Sequence, residues 1–436
     1  MKAFFAYFSL GRSPDSRLNL SRAIGSTIAR QILSGVLHFI ALWIITRQLG
    51  PEKNGILATV LLLPYTLHAL LNFGLGAGHA YFVSKGTGDY KGMRTVNWVL
   101  AAGLWLAITA SLFACSDEFI RQYLPGIEKD LALYAALLVP LMLLATWSSS
   151  LIQGSRDYDE YNKLLLLHPV VFCCGILFLN ALNSVTVISV LTSYLLSYLA
   201  FWLLSEWKIG KLKPFQAATK STSFDSLRFG LKAHLSNVIT FLNYRIDLYI
   251  VSYMLGAIET GQYNLSMQLA ERLWLISYAA SVIVFPEAAA HTARPAELHK
   301  MTKKIAGTVF TVTLVGALVT ALLSPFAIPW IFGNEYQGAV MPFIIMLPGI
   351  VLWSYMRIVS NALAGLGYLK VNNWSAVICL AVNIAANLIA VPLYGANGAA
   401  LASTIAYSVA TVYTVMMYRR VMEEKIRDFE SQAARV

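Results

Sequence analysis

Long apolar runs alternate with short polar stretches along the whole 436-residue chain. A helix needs about 20 apolar residues to cross the hydrocarbon core of a bilayer, and this length divides the chain into twelve candidate spans. The first six spans are 26–46, 56–83, 96–115, 131–152, 164–182 and 184–205. The second six are 229–255, 263–289, 305–323, 339–364, 373–392 and 396–418. The pattern predicts an all-α integral membrane protein with 12 transmembrane helices.

The stretch 206–228 lies between the two groups of six spans and is basic, with one proline and several serine and threonine residues. We interpret it as a cytoplasmic linker. The domain prediction is therefore an N-terminal six-helix bundle over 1–205 and a C-terminal six-helix bundle over 229–418. A cytoplasmic tail over 419–436 follows the second bundle.

Composition supports a membrane location. Hydrophobic residues make up 57% of the chain and charged residues 13%, whereas soluble proteins carry about 25% charged residues. Of the 33 lysines and arginines, 24 lie in segments on one predicted side, four lie on the other side and five lie within spans. Because cytoplasmic segments carry an excess of Lys and Arg, both termini are expected to be cytoplasmic, in the inner membrane.

Candidate partners and cofactors follow from the same features. The net charge of +11 would suggest nucleic acid in a soluble protein, but here it sets membrane orientation, so no nucleic-acid partner is expected. The four cysteines form no CxxC pair and have no histidines at metal-ligand spacing, which predicts neither a metal site nor a disulfide framework. No cofactor is expected, and no nucleotide-binding P-loop is present.

Two short patterns recur in the two halves. A Leu-Gly pair followed by a second glycine five residues later occurs at Gly50 and Gly55, and again at Gly256 and Gly261. A glycine followed by an asparagine eight residues later occurs at Gly154 and Asn162, and at Gly365 and Asn373. The offsets of 206 and 211 residues are nearly equal, and they indicate an internal repeat of the parallel kind found in some transporters.

Three motifs carry a family resemblance: "RQLGPEKNG" (47–55), "RIDLYIVSYMLGAIETGQY" (245–263) and "VPLYGANGAALASTIAY" (391–407). They resemble polysaccharide flippases of the multidrug/oligosaccharidyl-lipid/polysaccharide exporter superfamily, and the resemblance extends over about residues 20–420. It implies two six-helix bundles around a central cavity and transport by alternating access. It also implies a polyprenyl-diphosphate-linked oligosaccharide as the substrate, in O-antigen or exopolysaccharide assembly. Membrane lipids and other polysaccharide-assembly membrane proteins are the further partners expected.

Four charged residues lie deep inside apolar spans seven and eight: Arg245, Asp247, Glu271 and Arg272. A rise of ~1.5 Å per residue places all four at a similar depth, roughly 12–15 Å below the outer surface. Since a charge at mid-membrane costs about 2.5–3.5 kcal/mol, such residues normally face a cavity or a partner. Arg245 and Asp247 are about 200° apart on their helix, so one is expected to face the cavity and the other a neighbouring helix.

The substrate-binding candidates are Arg30, Arg245, Arg272 and Arg357, because the planar guanidinium binds phosphate oxygens with two parallel hydrogen bonds. Asp247 and Glu271 are candidates for carrying a coupling H⁺ or Na⁺. A purely structural role is the alternative, with Asp247–Arg272 or Arg245–Glu271 as buried ion pairs that fix one helix against another.

Two other functions remain open at this stage. A cation-coupled drug or small-molecule antiporter of the same superfamily would favour a cavity rich in carboxylates, but this chain has at least as many arginines as acids in its spans. A membrane glycan polymerase or transferase would need a large external loop or an acidic catalytic set. The sequence shows neither, so we do not expect an enzyme.

Overall fold

The computed structural model describes residues 14–211, 222–290 and 294–433, and every regular element in these ranges is a helix. Before the first gap the helices are α1 (Pro14–Leu71), α2 (Leu75–Ser84), α3 (Tyr90–Ala114), α4 (Asp117–Tyr123), α5 (Lys129–Ala136), α6 (Leu138–Gly154), α7 (Tyr158–Ala181) and α8 (Val187–Gly210). After it come α9 (Thr222–Leu255), α10 (Ala257–Glu271), α11 (Trp274–Ala290), α12 (Pro295–Phe332), the 3₁₀ helix η1 (Asn334–Ala339), α13 (Val340–Gly365) and α14 (Leu369–Ala433).

Membrane-spanning helices dominate the described ranges. Eight helices there are long and apolar enough to cross a bilayer, or up to nine if the bent pair α10 and α11 is one span. Two of them contain a glycine with non-helical backbone angles, Gly50 in α1 and Gly395 in α14. The chain is therefore a multi-span membrane protein, while the count of twelve spans and the side on which the termini lie stay predictions.

The helices form two compact units, which are described separately. Unit 1 comprises Met1–Ile45, Leu67–Ala114 and Leu133–His234, and unit 2 comprises Thr46–Thr66, Cys115–Ala132 and Leu235–Val436. The predicted domain bounds of 1–205 and 229–418 stay a prediction. Residues 212–221 of the predicted linker, residues 1–13 and residues 434–436 lie outside the described residues.

Unit 1 packs around the fully buried Trp147 of α6, whose indole N–H donates to the side-chain oxygen of Asn72 at 3.1 Å. The predicted second span, 56–83, is interrupted here, because α1 ends at Leu71 and α2 begins at Leu75. A Cβ atom at Gly74 would overlap the backbone of Gly230 in α9. Gly74 is thus a site of close backbone packing, since small residues let helix backbones approach.

In unit 2 the two Leu-Gly corners adopt the same backbone conformation. Gly50 has φ 70° and ψ 174°, and Gly256 has φ 82° and ψ −173°. Only glycine enters this region without strain, which explains the residue type at both corners. A Cβ atom at Gly55 would overlap the carbonyl of Ala257, and one at Gly261 would overlap the carbonyl of Pro51. The two corners therefore pack on each other through matching glycines.

The second repeated pattern also has matching contacts. A Cβ atom at Gly154 would lie 2.9 Å from the carbonyl oxygen of Ala80, and one at Gly365 would lie 2.5 Å from that of Phe285. The asparagines behave alike: Asn162 donates to Ser26 at 3.0 Å, and Asn373 accepts from Ser236 at 3.0 Å. These contacts agree with the internal repeat inferred from glycine and asparagine spacing, which stays a prediction.

The predicted span 263–289 is broken near its middle. Helix α10 ends at Glu271, α11 begins at Trp274, and the two axes meet at 40°. The backbone N–H groups of Arg272 and Leu273 donate to carbonyls three residues back, at 3.2 Å each. Such bonds tighten the last turn of α10 into 3₁₀ geometry, and this places Arg272 at the break.

Candidate functional site

Charged and aromatic side chains of five helices meet in unit 2. We call this set the unit 2 cluster; it consists of Tyr244, Arg245 and Asp247 of α9, Tyr263 and Glu271 of α10, Trp274 and Tyr278 of α11, Trp353 and Arg357 of α13, and Ser403 and Tyr407 of α14.

Arg245 and Glu271 form an ion pair between α9 and α10. The Arg245 Nη1 atom lies 2.9 Å from Glu271 Oε1, and the two side chains are 27% and 23% exposed. The same Nη1 donates to the backbone carbonyl of Tyr244 at 2.8 Å. This is one of the two pairs that the structural interpretation predicted. Its partial exposure leaves guanidinium N–H groups in reach of a ligand, because Arg has five donors.

Asp247 is held by hydrogen bonds from three directions and is 2% exposed. Its carboxylate accepts from the Tyr263 hydroxyl at 2.6 Å, the Ser403 hydroxyl at 2.8 Å and the Leu248 backbone N–H at 2.8 Å. Asp247 thus points toward neighbouring helices while Arg245 stays partly exposed, as expected from their 200° separation on α9. The carboxylate ties α9 to α10 and α14.

Arg357 lies among aromatic rings. Its guanidinium carbon is 3.7 Å from the centre of the Tyr278 ring and 5.4 Å from that of Trp274. Its Nη2 donates to the Tyr244 hydroxyl at 3.5 Å, and its buried Nε has no hydrogen-bond partner within the described residues. Rings hold the cation from its faces by cation–π attraction, so the edge that carries the donors remains available for an anion.

Tyr244 contacts both arginines. Its carbonyl accepts from Arg245 and its hydroxyl accepts from Arg357. The ring also lies 5.4 Å from Trp274 and 6.2 Å from Trp353, centre to centre. One aromatic residue therefore links the two cations of the cluster.

Of the other two arginine candidates, Arg30 lies outside the unit 2 cluster and Arg272 follows its member Glu271 directly in the chain. Arg30 is in unit 1, where its Nε donates to the side-chain oxygen of Asn162 at 3.0 Å. Arg272 is half-buried at the α10–α11 break, and its backbone N–H donates to the carbonyl of Leu269. Four of the six predicted residues, Arg245, Asp247, Glu271 and Arg357, therefore belong to one cluster in unit 2, and Arg30 is separate from it.

Aromatic residues of the cluster were missed by the sequence argument. A signal was present, since Trp274 and Tyr278 are four residues apart, as are Trp353 and Arg357, and residues at this spacing share a helix face. For metals, the described residues contain no group of three or more His, Cys, Asp or Glu side chains placed to hold an ion.

Comparison with solved structures defines the class of fold. The chain is similar to the lipid II flippase MurJ in an inward closed conformation, with a TM-score of 0.76 and 15% identity over 93% of this chain and 91% of that one. It is also similar to an inward-facing multidrug resistance MATE family transporter of the MOP superfamily, with a TM-score of 0.72 and 18% identity over 92% and 99% of the two chains. The fold is that of the MOP superfamily, as the sequence motifs indicated.

The sequence comparison then gives the family. The chain belongs to the polysaccharide biosynthesis protein family, whose sequence profile matches residues 44–341. A curated relative is the probable low-salt glycan biosynthesis flippase Agl15 of Haloferax volcanii, 22% identical over 405 residues, which cover 91% of this chain and 82% of the relative. The uncharacterized membrane protein MJ1375 of Methanocaldococcus jannaschii is also 22% identical, over 82% of this chain and 88% of that protein.

Proposed function

We propose that this protein is a flippase that moves a polyprenyl-diphosphate-linked oligosaccharide across the membrane by alternating access, for O-antigen or exopolysaccharide assembly. The observation that carries the proposal is Arg357, a guanidinium bounded by aromatic rings with a buried Nε donor that has no partner within the described residues. Such a group suits a diphosphate, because charge-assisted bonds from arginine to phosphate are short and strong. The family match and the flippase names of the relatives agree with this proposal.

The two arginines of the cluster have different roles in this proposal. Arg357 binds the diphosphate directly, while Arg245 supplies a second cation that its Glu271 partner partly neutralises. Tyr244 keeps the two cations at a fixed separation through its carbonyl and hydroxyl. The rings of Trp353 and Tyr407, with centres 4.7 Å apart, are buried and pack on each other within the cluster. Arg30 and Arg272 are proposed as additional contacts along the path.

Coupling to an ion is assigned to Glu271 rather than Asp247. A carboxylate that exchanges H⁺ or Na⁺ must be reached by solvent, and Glu271 is 23% exposed. Asp247 is 2% exposed and already accepts three hydrogen bonds, which favours a structural role.

The proposed topology has twelve spans in the inner membrane with both termini cytoplasmic. Gly50 and Gly395 each divide one long helix into two spans, and the bent pair α10–α11 forms another. Helix α9 is not one of the eight helices counted above as long and apolar enough to cross a bilayer. Its charged residues Arg245 and Asp247 have partners, so it too is proposed to cross. The six-helix bundles over 1–205 and 229–418 and the linker over 206–228 belong to this proposal.

A cation-coupled antiporter is the second candidate. It is favoured by the two carboxylates beside aromatic rings in the unit 2 cluster and by the likeness to the multidrug transporter fold. It would leave the Nε donor of Arg357, which has no partner within the described residues, without a role, because a cationic cargo is repelled by a guanidinium. An enzymatic function has no comparable support.

The test uses the purified protein in liposomes that contain a lipid-linked oligosaccharide labelled on its glycan. We expect Arg357→Ala to reduce the initial flipping rate at limiting substrate about 10- to 150-fold, because a hydrogen bond to a charged group is worth about 1.5–3 kcal/mol. Arg357→Lys should recover part of the rate, since it keeps the charge but loses the fork. Arg420→Ala, an exposed arginine of α14, is the control.

Protein abundance and melting temperature are measured for each variant. A normal rate in Arg357→Ala contradicts diphosphate binding by this residue. A lost rate that accompanies lost abundance supports the structural interpretation instead. Transport of an organic cation by the wild type, without glycan flipping, would favour the antiporter.

A further inference from the structure

A cleft away from the unit 2 cluster opens among α12, α13 and α14. Its volume is about 310 Å³, roughly ten times the ~30 Å³ that one water occupies in the liquid. The polar side chains that line it are His299, Thr302, Lys303, Tyr418, Arg419 and Glu423. We call it the 299–423 cleft. It lies at the end of these helices that the charge distribution predicts to be cytoplasmic, where the apolar part of α14 gives way to charged residues.

Buried polar atoms in this cleft have few partners. Thr302 is 0% exposed and Tyr418 is 4% exposed; their hydroxyls interact with each other but have no other hydrogen-bond partner within the described residues, and Nδ1 of His299 has none there. The imidazole of His299 stacks on the Tyr418 ring with centres 5.7 Å apart, so both side chains are held in place. An unsatisfied buried polar group costs about 1–3 kcal/mol, so two hydroxyls that satisfy only each other, beside an imidazole nitrogen with no partner in the described residues, favour a bound polar species in the cavity.

The charge at the cleft opening indicates the sign of that species. Lys303 and Arg419 are exposed, and neither has a carboxylate within ion-pair distance in the described part of the chain, whereas Arg94, Lys163, Lys208 and Arg245 each have one. Glu423 is the acidic residue in the lining. Two cations against one anion, beside the Thr302 and Tyr418 hydroxyls, give the cleft a net positive charge that favours an anion.

We propose that the 299–423 cleft binds a phosphate group. The hydroxyls of Thr302 and Tyr418 donate to its oxygens, while Lys303 and Arg419 provide charge-assisted bonds, which are about twice as strong as neutral ones. An anionic lipid headgroup and a soluble phosphate both offer this group. The apolar residues of the lining, which include Val415 and Met422, suit the glycerol and first acyl carbons of a lipid. This site is independent of the proposed substrate site.

The experiment uses the full-length protein in detergent micelles and native mass spectrometry to count bound lipids. The probes are phosphatidylglycerol, which is anionic, and phosphatidylcholine, which has no net charge. Basic residues near a membrane surface contribute about 1 kcal/mol each toward anionic lipid, so Lys303→Gln and Arg419→Gln should each lower the phosphatidylglycerol adduct ratio about five-fold. Glu423→Gln should raise it, because it removes the opposing charge.

Lys304→Gln is the matched control, because this exposed lysine is the next residue after Lys303 in the same helix but does not line the cleft. Equal losses in Lys303→Gln and Lys304→Gln would show general surface attraction and overturn the proposal, as would unchanged adducts in all the cleft variants. In a second arm, inorganic phosphate is titrated while the melting temperature is followed. A stabilisation that is lost in Lys303→Gln, without a lipid preference, would support a phosphate site with a soluble source.

Discussion

Alanine at Gly261 tests the glycine contact between the two repeated corners of unit 2. A Cβ atom there would overlap the carbonyl of Pro51 and lie 3.0 Å from the backbone nitrogen of Gly55. The reciprocal atom at Gly55 would lie 2.9 Å from the nitrogen of Gly261. Ordinary van der Waals contact begins at 3.4 Å, so the nitrogen contacts alone require the backbones to part by about half an ångström, and the carbonyls require more.

The energetic cost follows from what the new methyl group meets. Overpacking a filled contact costs about 1–3 kcal/mol, and the upper end applies because backbone atoms cannot rotate away. Replacing glycine by alanine inside a helix returns about 1 kcal/mol. The net penalty of about 2 kcal/mol raises the free energy of the conformation in which the two corners touch. The population of that conformation relative to those with the corners apart should therefore fall about 30-fold.

Pulsed electron paramagnetic resonance measures this shift directly. Spin labels at Lys53 and at Ile258, which are both exposed, report the distance between the two corners in the reconstituted protein. We expect the short-distance population of Gly261→Ala to fall and a longer one to appear. Gly307→Ala is the control, because a Cβ atom there meets nothing within 4 Å. An unchanged distance distribution together with an unchanged melting temperature in Gly261→Ala would refute the reasoning.

Two further predictions concern the ion pair and the buried carboxylate of the unit 2 cluster. Arg245→Gln and Glu271→Gln should each lower the free energy of unfolding by about 2 kcal/mol, a value between those for exposed and buried pairs. In thermal unfolding, the double variant should lose less stability than the sum of the two single losses. Strict additivity of the losses would show that the pair does not interact. Asp247→Asn should lower the melting temperature, because all three donors lose a charged acceptor and at least one of them then meets an amide nitrogen that cannot accept, at a cost of about 1.5–3 kcal/mol. A normal melting temperature with abolished ion coupling would contradict the structural role given to Asp247.

The repeat was readable from sequence because it rests on backbone chemistry. Gly50 and Gly256 share positive φ values, and few residues other than glycine adopt them, so the constraint is visible as a residue type at fixed spacing. The same holds for Gly55 and Gly261, where a methyl group does not fit. Patterns that are enforced by steric exclusion are retained in the sequence of both halves.

The breaks within predicted spans were not predictable in the same way. Both spans are predicted as continuous apolar runs in spite of Glu271 and Arg272 in one and Asn72 and Gly74 in the other, yet the helices end at these positions. The bend at α10–α11 depends on i→i−3 hydrogen bonds at Arg272 and Leu273, which tertiary packing selects and hydropathy does not register. Span length is a property of composition, while continuity of a helix depends on its neighbours.

The candidate site was predictable in part. Charge inside an apolar span identified Arg245, Asp247, Glu271 and Arg357, because lipid makes such residues rare. Their partners Tyr263 and Ser403 come from segments 16 and 156 residues away from Asp247, and no periodicity links them. Aromatic residues are common in membrane proteins, so Tyr244 and Tyr278 do not stand out until the fold places them beside Arg357.

The turn at Gly395 has a practical consequence for mapping which side of the bilayer each segment occupies. The backbone changes direction at this one residue (φ 59°, ψ −139°), and three residues later a methyl group at Gly398 would overlap the carbonyl of Ala390. Because the backbone is this tightly packed, an inserted reporter enzyme or epitope tag would not fit at this turn. The exposed turn at Leu182–Ser184, between α7 and α8, is the better insertion point, and a reporter placed there would read out sidedness without disturbing the helices that carry the arginines.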